Sequence, residues 1–181
     1  MPPMKKIEKN IKSTNKKNPL KKVYIAFGAN KNNPQKNIAL ALKKLALTGR
    51  VKKVSPVIKT KPEGFLEQPD FYNGALLYQT RLEPQKLLDT LKEIERALGR
   101  KPTFKNAPRE IDLDIIFYED KIMRSKKLFI PHPRAHKRFF VLQPLSKIAP
   151  RKKHPVLKKT VLKLLGDLTQ KKRRHKIAPL E

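Results

Sequence analysis

Apolar and charged positions alternate over Glu110-Ile111-Asp112-Leu113-Asp114, and the run then becomes wholly apolar at Ile115-Ile116-Phe117. The pattern predicts a strand with one polar face at its start and a buried continuation. Side chains of a strand alternate between its faces, so Asp112 and Asp114 share one face and Ile111, Leu113 and Ile115 the other. Two carboxylates on one face, roughly 7 Å apart, can hold hard cations such as Mg²⁺ between them and a phosphate chain. Arg109, just upstream, could meet the same phosphates. An edge strand that merely wets two acids has the same pattern.

Val23-Tyr24-Ile25-Ala26-Phe27 reads as a buried first strand ending at Gly28. Asn33 followed by Pro34 is a helix start, with Ile38, Ala41, Leu42 and Leu45 on one face and Gly49 as the stop. Residues 51–59 are rich in β-branched side chains but broken by Pro56, as an edge strand allows. Two prolines and a glycine exclude regular structure over residues 60–70, and a loop of that length is expected to be functional. Phe71 to Thr80 is the third strand, with Phe71, Asn73, Ala75 and Leu77 on one face. Pro84 opens a second helix with the stripe Leu87, Leu88, Leu91, Ile94 and Leu98, closed by Gly99.

Strand, helix, strand, strand, helix, strand is the α+β, ferredoxin-like βαββαβ arrangement: an antiparallel sheet with both helices on one face. A C-terminal extension follows, with an amphipathic helix expected over residues 155–166 from Leu157, Val161, Leu164 and Leu165. The boundaries expected are a disordered basic arm over 1–22, one domain over 23–166 and a loose basic tail over 167–181.

The chain has 181 residues, enough for one domain with a real core, and no cysteine. No apolar run reaches a membrane span and the N-terminus has no apolar signal region, so a cytoplasmic protein that does not bind membranes is expected, as a monomer. The net charge of +29 divides as +7 over residues 1–22, +13 over 23–150 and +9 over 151–181. Ends so basic suggest nonspecific binding of polyanions, although a lysine-rich composition without a selected partner accounts for them equally well.

Five blocks occur in order: Tyr24-Ile25-Ala26-Phe27-Gly28-Ala29-Asn30, Gln68-Pro69-Asp70-Phe71-Tyr72-Asn73, Pro108-Arg109-Glu110-Ile111-Asp112-Leu113-Asp114, Pro131-His132-Pro133-Arg134, and Arg138 with Phe140. Together they resemble the hydroxymethyldihydropterin pyrophosphokinases of folate biosynthesis, over about Val23 to Pro150. The resemblance implies transfer of pyrophosphate from ATP, the co-substrate, to 6-hydroxymethyl-7,8-dihydropterin, with AMP as the other product and two Mg²⁺ ions. By the same resemblance Asp112 and Asp114 hold the metals, and Arg100 and Arg109 are the catalytic arginines. Lys92, Glu95, Ile115, His132 and Arg138 fall on the nucleotide side. Thr60, Pro62, Gly64, Phe71, Asn73 and Phe140 fall on the pterin side, where Asn73 offers both a donor and an acceptor to an amide-like edge. The chain departs from the family pattern at Ala29, Ala107, Lys61 and Glu63, and its 100–109 loop has no tryptophan, with Phe104 or Asn106 in that region.

Two other readings exist. A nucleic-acid-binding ferredoxin-like domain suits the charge, but the Lys/Arg-Gly-Phe/Tyr-Gly/Ala-Phe run on a central strand is missing and the acid pair would repel a phosphate backbone. An inactive structural protein with a borrowed fold need not keep the acids and both arginines. His132 and His136 have i, i+4 spacing, but no third ligand supports a zinc site.

Overall fold

The computed structural model describes residues 19–104 and 106–177. Strands β1 (Lys21–Ala29), β2 (Arg50–Val54), β3 (Ile58–Thr60), β4 (Phe71–Thr80) and β5 (Asp112–Tyr118) form one antiparallel sheet. Its order is β2-β4-β1-β5, with β3 also paired to β4. Helices α1 (Pro34–Ala46) and α2 (Pro84–Ala97) cover one face, burying Ile38, Leu45, Leu87, Leu91 and Ile94 against Ile25, Phe27, Leu76, Tyr78 and Leu113. Burial of each such side chain contributes about 1.5–3 kcal/mol relative to exposure. The βαββαβ order expected from the pattern is the one observed.

The interruption at Pro56 divides the expected edge strand into β2 and β3. Ser55 bridges the gap: its N–H donates to Ala75 O at 2.9 Å, and its hydroxyl accepts from Ala75 N at 3.0 Å. A side-chain oxygen there stands in for the acceptor that a straight strand would offer.

A hairpin of β6 (Met123–Arg124) and β7 (Phe129–Ile130) leads through a 3₁₀ turn at Ala135–Lys137 into α3 (Phe139–Ile148) and α4 (Val161–Ile177). These two helices lie on the second face of the sheet, where Val141, Leu142, Leu145, Val161 and Leu164 pack on Ala26, Ala75, Ile116 and Phe117.

The helix expected over 155–166 starts later and ends later. Lys163 N–H donates to the Thr160 hydroxyl at 3.2 Å, which makes Thr160 the cap. Before it, His154 Nδ1 accepts from Val156 N and Leu157 N and holds that segment in a turn. Gly166 does not end the helix, because Leu168 continues the packed stripe of Leu164 and Leu165. Residues 167–177 are therefore helical rather than a loose tail, and residues 178–181 lie outside the described residues. Of the arm expected over 1–22, residues 1–18 lie outside the described residues, while Lys21 and Lys22 already belong to β1. No helix among the described residues is long and apolar enough to cross a membrane.

Candidate active site

On the second face, at the edge of the area covered by α3, the inner strands carry two rows of side chains. Gly28 is the register partner of Asn73 on one side and Asp112 on the other, and Ala26 is the partner of Ala75 and Asp114. The small residues keep this floor open. A Cβ on Gly28 would lie 2.5 Å from Asn73 Oδ1, so any larger residue would push the amide aside. The resulting cavity of about 100 Å³ is lined by Thr60, Phe71, Asn73 and Phe140, and reaches Arg109, Asp112 and Asp114. Asn73 Nδ2 donates to Thr60 Oγ1 at 2.9 Å, which fixes the direction of its amide. Arg109 lies 5.9 Å from the centre of the Phe71 ring, and Arg138 lies 5.4 Å from that of Phe140.

Beside this slot opens a cleft of about 1030 Å³, lined by Lys92, Glu95, Arg100, Arg109, His132 and Arg138 among others. Asp112 is held between two guanidinium groups, from Arg100 at 2.5 Å and from Arg109 at 2.6 Å. Burial works against its charge, but Arg100, Lys92 and Arg109 overcome it and keep its carboxyl below the usual range. Asp114 forms no ion pair among the described residues. Burial and then the charge of Asp112 push it up to about 6, against the pull of Lys92. Burial, followed by the charges of Arg138 and Arg134, pushes His132 down to about 4, which keeps its imidazole neutral at pH 7.

A divalent cation fits these residues. Asp114 is a carboxylate with no direct ion pair among the described residues, beside a second carboxylate, and a cation relieves both burial and repulsion. The described residues hold no cluster of three or more His, Asp or Glu side chains set to enclose a metal. The pair would supply one or two ligands and leave the others to phosphate oxygens and water, which is how Mg²⁺ is commonly held.

Two loops border the site, and Gln68 joins them. Its Nε2 donates to Asn106 O at 2.9 Å, and its Oε1 accepts from Asn30 Nδ2 at 2.8 Å. Asn30 is 3% exposed and also donates to Pro69 O at 2.9 Å. Phe65 and Phe104 meet edge to face at 5.3 Å, so a phenylalanine pair takes part in the loop contact where the tryptophan is missing.

The structure thus brings together Arg100, Arg109, Asp112, Asp114, Lys92, Glu95, His132 and Arg138, and on the slot side Thr60, Phe71, Asn73 and Phe140. It does not bring Ile115, which lies on the opposite face of β5, buried against the helices. Pro62 is buried and Gly64 exposed, and neither lines the slot. Gly64 has φ +86 and abuts Asn106, so it shapes the loop contact. The sequence pattern gives no individual role to Asn30, Gln68 or Arg134, although all three lie inside the blocks that carry the resemblance.

A family model described as 7,8-dihydro-6-hydroxymethylpterin-pyrophosphokinase (HPPK) matches residues 24–150. The chain belongs to this family. It is 39% identical over 149 residues to the 2-amino-4-hydroxy-6-hydroxymethyldihydropteridine pyrophosphokinase of Aquifex aeolicus, covering 82% of this chain and 93% of that protein. Identity to the enzyme of the same name from Haemophilus influenzae is 40% over 128 residues, covering 70% of this chain and 80% of that one. The folic acid synthesis protein of Dictyostelium discoideum is 39% identical over 177 residues, which cover 98% of this pyrophosphokinase-family chain but 27% of that protein. The chain therefore spans about a quarter of that relative's length. A crystal structure of a Plasmodium falciparum HPPK-DHPS triple mutant superposes with a TM-score of 0.75 at 16% identity, covering 93% of this chain and 48% of the other. That likeness shows the shared fold.

Proposed function

We propose that the protein transfers the terminal pyrophosphate of ATP to the hydroxyl of 6-hydroxymethyl-7,8-dihydropterin, in folate biosynthesis. The products are AMP and the pterin diphosphate. The observation that carries the reading is the row Asn73–Gly28–Asp112, in which an amide suited to a pterin edge opens directly onto a carboxylate and two arginines.

In this reading the pterin lies flat over Gly28 between Phe71 and Phe140, with its amide-like edge on Asn73 and Thr60. Lys92, His132 and Arg138 bind the nucleotide, with Glu95 behind them holding Lys92. The hydroxymethyl oxygen attacks the β-phosphorus of ATP, the bond from that phosphorus to the α-phosphate oxygen breaks, AMP leaves, and the hydroxyl proton is released to solvent. Arg100 and Arg109 stabilise the charge that moves onto the transferring oxygens. Asp112 and Asp114 would hold two Mg²⁺ ions, whose chemistry when bound is neutralisation of the phosphate chain. The basic ends of the chain are assigned to nonspecific polyanion binding rather than to catalysis, although Lys21, Lys22 and residues 167–177 belong to β1 and α4, and the protein is assigned to the cytoplasm as a monomer.

Chromatography of a mixture of protein, ATP, Mg²⁺ and the reduced pterin tests the reading. AMP should accumulate in step with the pterin diphosphate and only with divalent metal. Folded protein that yields neither product contradicts it.

A further inference from the structure

Glu95 stands near the end of α2 and reaches the start of β5 with 3% of its surface exposed. Its Oε1 accepts from Leu113 N and from Lys92 Nζ, both at 2.8 Å. Its Oε2 faces Arg100 Nη1 at 2.6 Å, and the same Nη1 donates to Asp112 Oδ1 at 2.5 Å. One arginine nitrogen is thus shared by two carboxylates whose surroundings differ. Glu95 is fixed by a helix, a strand N–H and a lysine. Asp112 lies on the cleft side of the sheet, holds Arg109 as well, and is the carboxylate for which a metal ion would compete.

We propose that Glu95 is a positioning residue for Arg100: it keeps the guanidinium at the cleft when Asp112 gives it up to a metal ion. The inference rests on the reading of Asp112 as a metal ligand. It differs from a direct nucleotide contact, because both oxygens of Glu95 are already engaged by the protein. Without this anchor, an arginine released by Asp112 would keep no direct ion pair among the described residues and would lose the preorganisation that makes it useful to a developing phosphate charge.

Guanidinium ¹⁵N NMR on protein free of metal and nucleotide tests this directly. Asp112→Asn removes the carboxylate charge much as metal capture would. The Arg100 Nη signals should stay resolved and slowly rotating in Asp112→Asn, and collapse to an averaged signal in Asp112→Asn/Glu95→Gln. Loss of slow rotation in Asp112→Asn alone overturns the proposal. Glu95→Gln keeps an acceptor for Leu113 N–H, so its kinetics report the arginine. In that variant kcat should fall about tenfold to a hundredfold with little change in the KM for ATP. In an Arg100→Ala background the same change should cost nothing further. An equal loss in both backgrounds, or an effect confined to the KM for ATP, overturns the proposal. The NMR arm needs no turnover, so a parent protein without pyrophosphoryl transfer would refute the function and leave the role of Glu95 readable.

Discussion

Asn30 and Arg109, separated by 79 residues in the chain, exchange two hydrogen bonds: Asn30 N–H donates to Arg109 O at 3.1 Å, and Arg109 N–H donates to Asn30 Oδ1 at 2.9 Å. The end of β1 therefore fixes the backbone from which the Arg109 guanidinium reaches Asp112. Through its Nδ2 the same asparagine holds Gln68 and Pro69, so one buried amide sets both the arginine and the 61–70 loop.

Asn30→Ala should leave Arg109 N–H, Gln68 Oε1 and Pro69 O without this partner. The expected cost is about 1–3 kcal/mol of stability, together with a fall in kcat as Arg109 loses its fixed backbone. Thermal unfolding and steady-state kinetics check both. A variant with an unchanged melting temperature and unchanged kcat would show that the amide positions nothing.

Metal, phosphate and pterin contacts should fail in different ways. Asp112→Asn or Asp114→Asn should lower turnover by about a hundredfold or more while the fold survives, because the amide has the shape of the acid and opens no cavity; at Asp114 it also relieves repulsion, whereas at Asp112 it gives up the charge of two ion pairs at the cleft. Arg109→Ala should lower kcat by about 10²–10³ with a smaller effect on KM. Asn73→Ala should instead raise the KM for the pterin by about tenfold or more. If both Asp variants turn over like the parent, the metal assignment falls.

Much of this arrangement is legible in the sequence. Period-two alternation placed Asp112 and Asp114 together, and Phe71, Asn73 and Ala75 together, because a strand has only two faces. Ile115 is the nucleotide-side residue suggested by the family resemblance, and the same alternation turns its side chain into the core. The extent of α4 was hidden by Gly166, which looks like a stop but lies within a helix whose packed stripe runs on to Leu168. Asn30 and Gln68 could not be assigned roles from the chain alone, since what each touches is set by how two loops and a strand end meet.

Acid should unmask His132. Its folded value of about 4 lies below the ordinary 6.5, so between those limits the unfolded chain binds a proton that the folded protein does not. The contribution is complete above pH 6.5 and is lost as the pH falls towards 4. Stability measured across that window should decline less steeply in His132→Gln than in the parent, and imidazole NMR should show His132 neutral at pH 6. A His132 that titrates near 6.5 contradicts the desolvated cleft.

Removing residues 1–18 and 172–181 takes away many cations and none of the site residues. Retention on DNA or heparin should become weaker and less dependent on salt, while turnover at moderate salt stays near that of the parent. A folded truncated protein that loses turnover would place the ends in the site.

The most direct test follows the β-phosphorus. ATP carrying ¹⁸O on the non-bridging oxygens of its β-phosphoryl group is supplied with Mg²⁺ and 6-hydroxymethyl-7,8-dihydropterin, and the label is traced by mass. The account predicts that all of it moves to the pterin, with an unlabelled AMP left behind. Label retained in ADP, with a single phosphate on the pterin, would contradict pyrophosphoryl transfer.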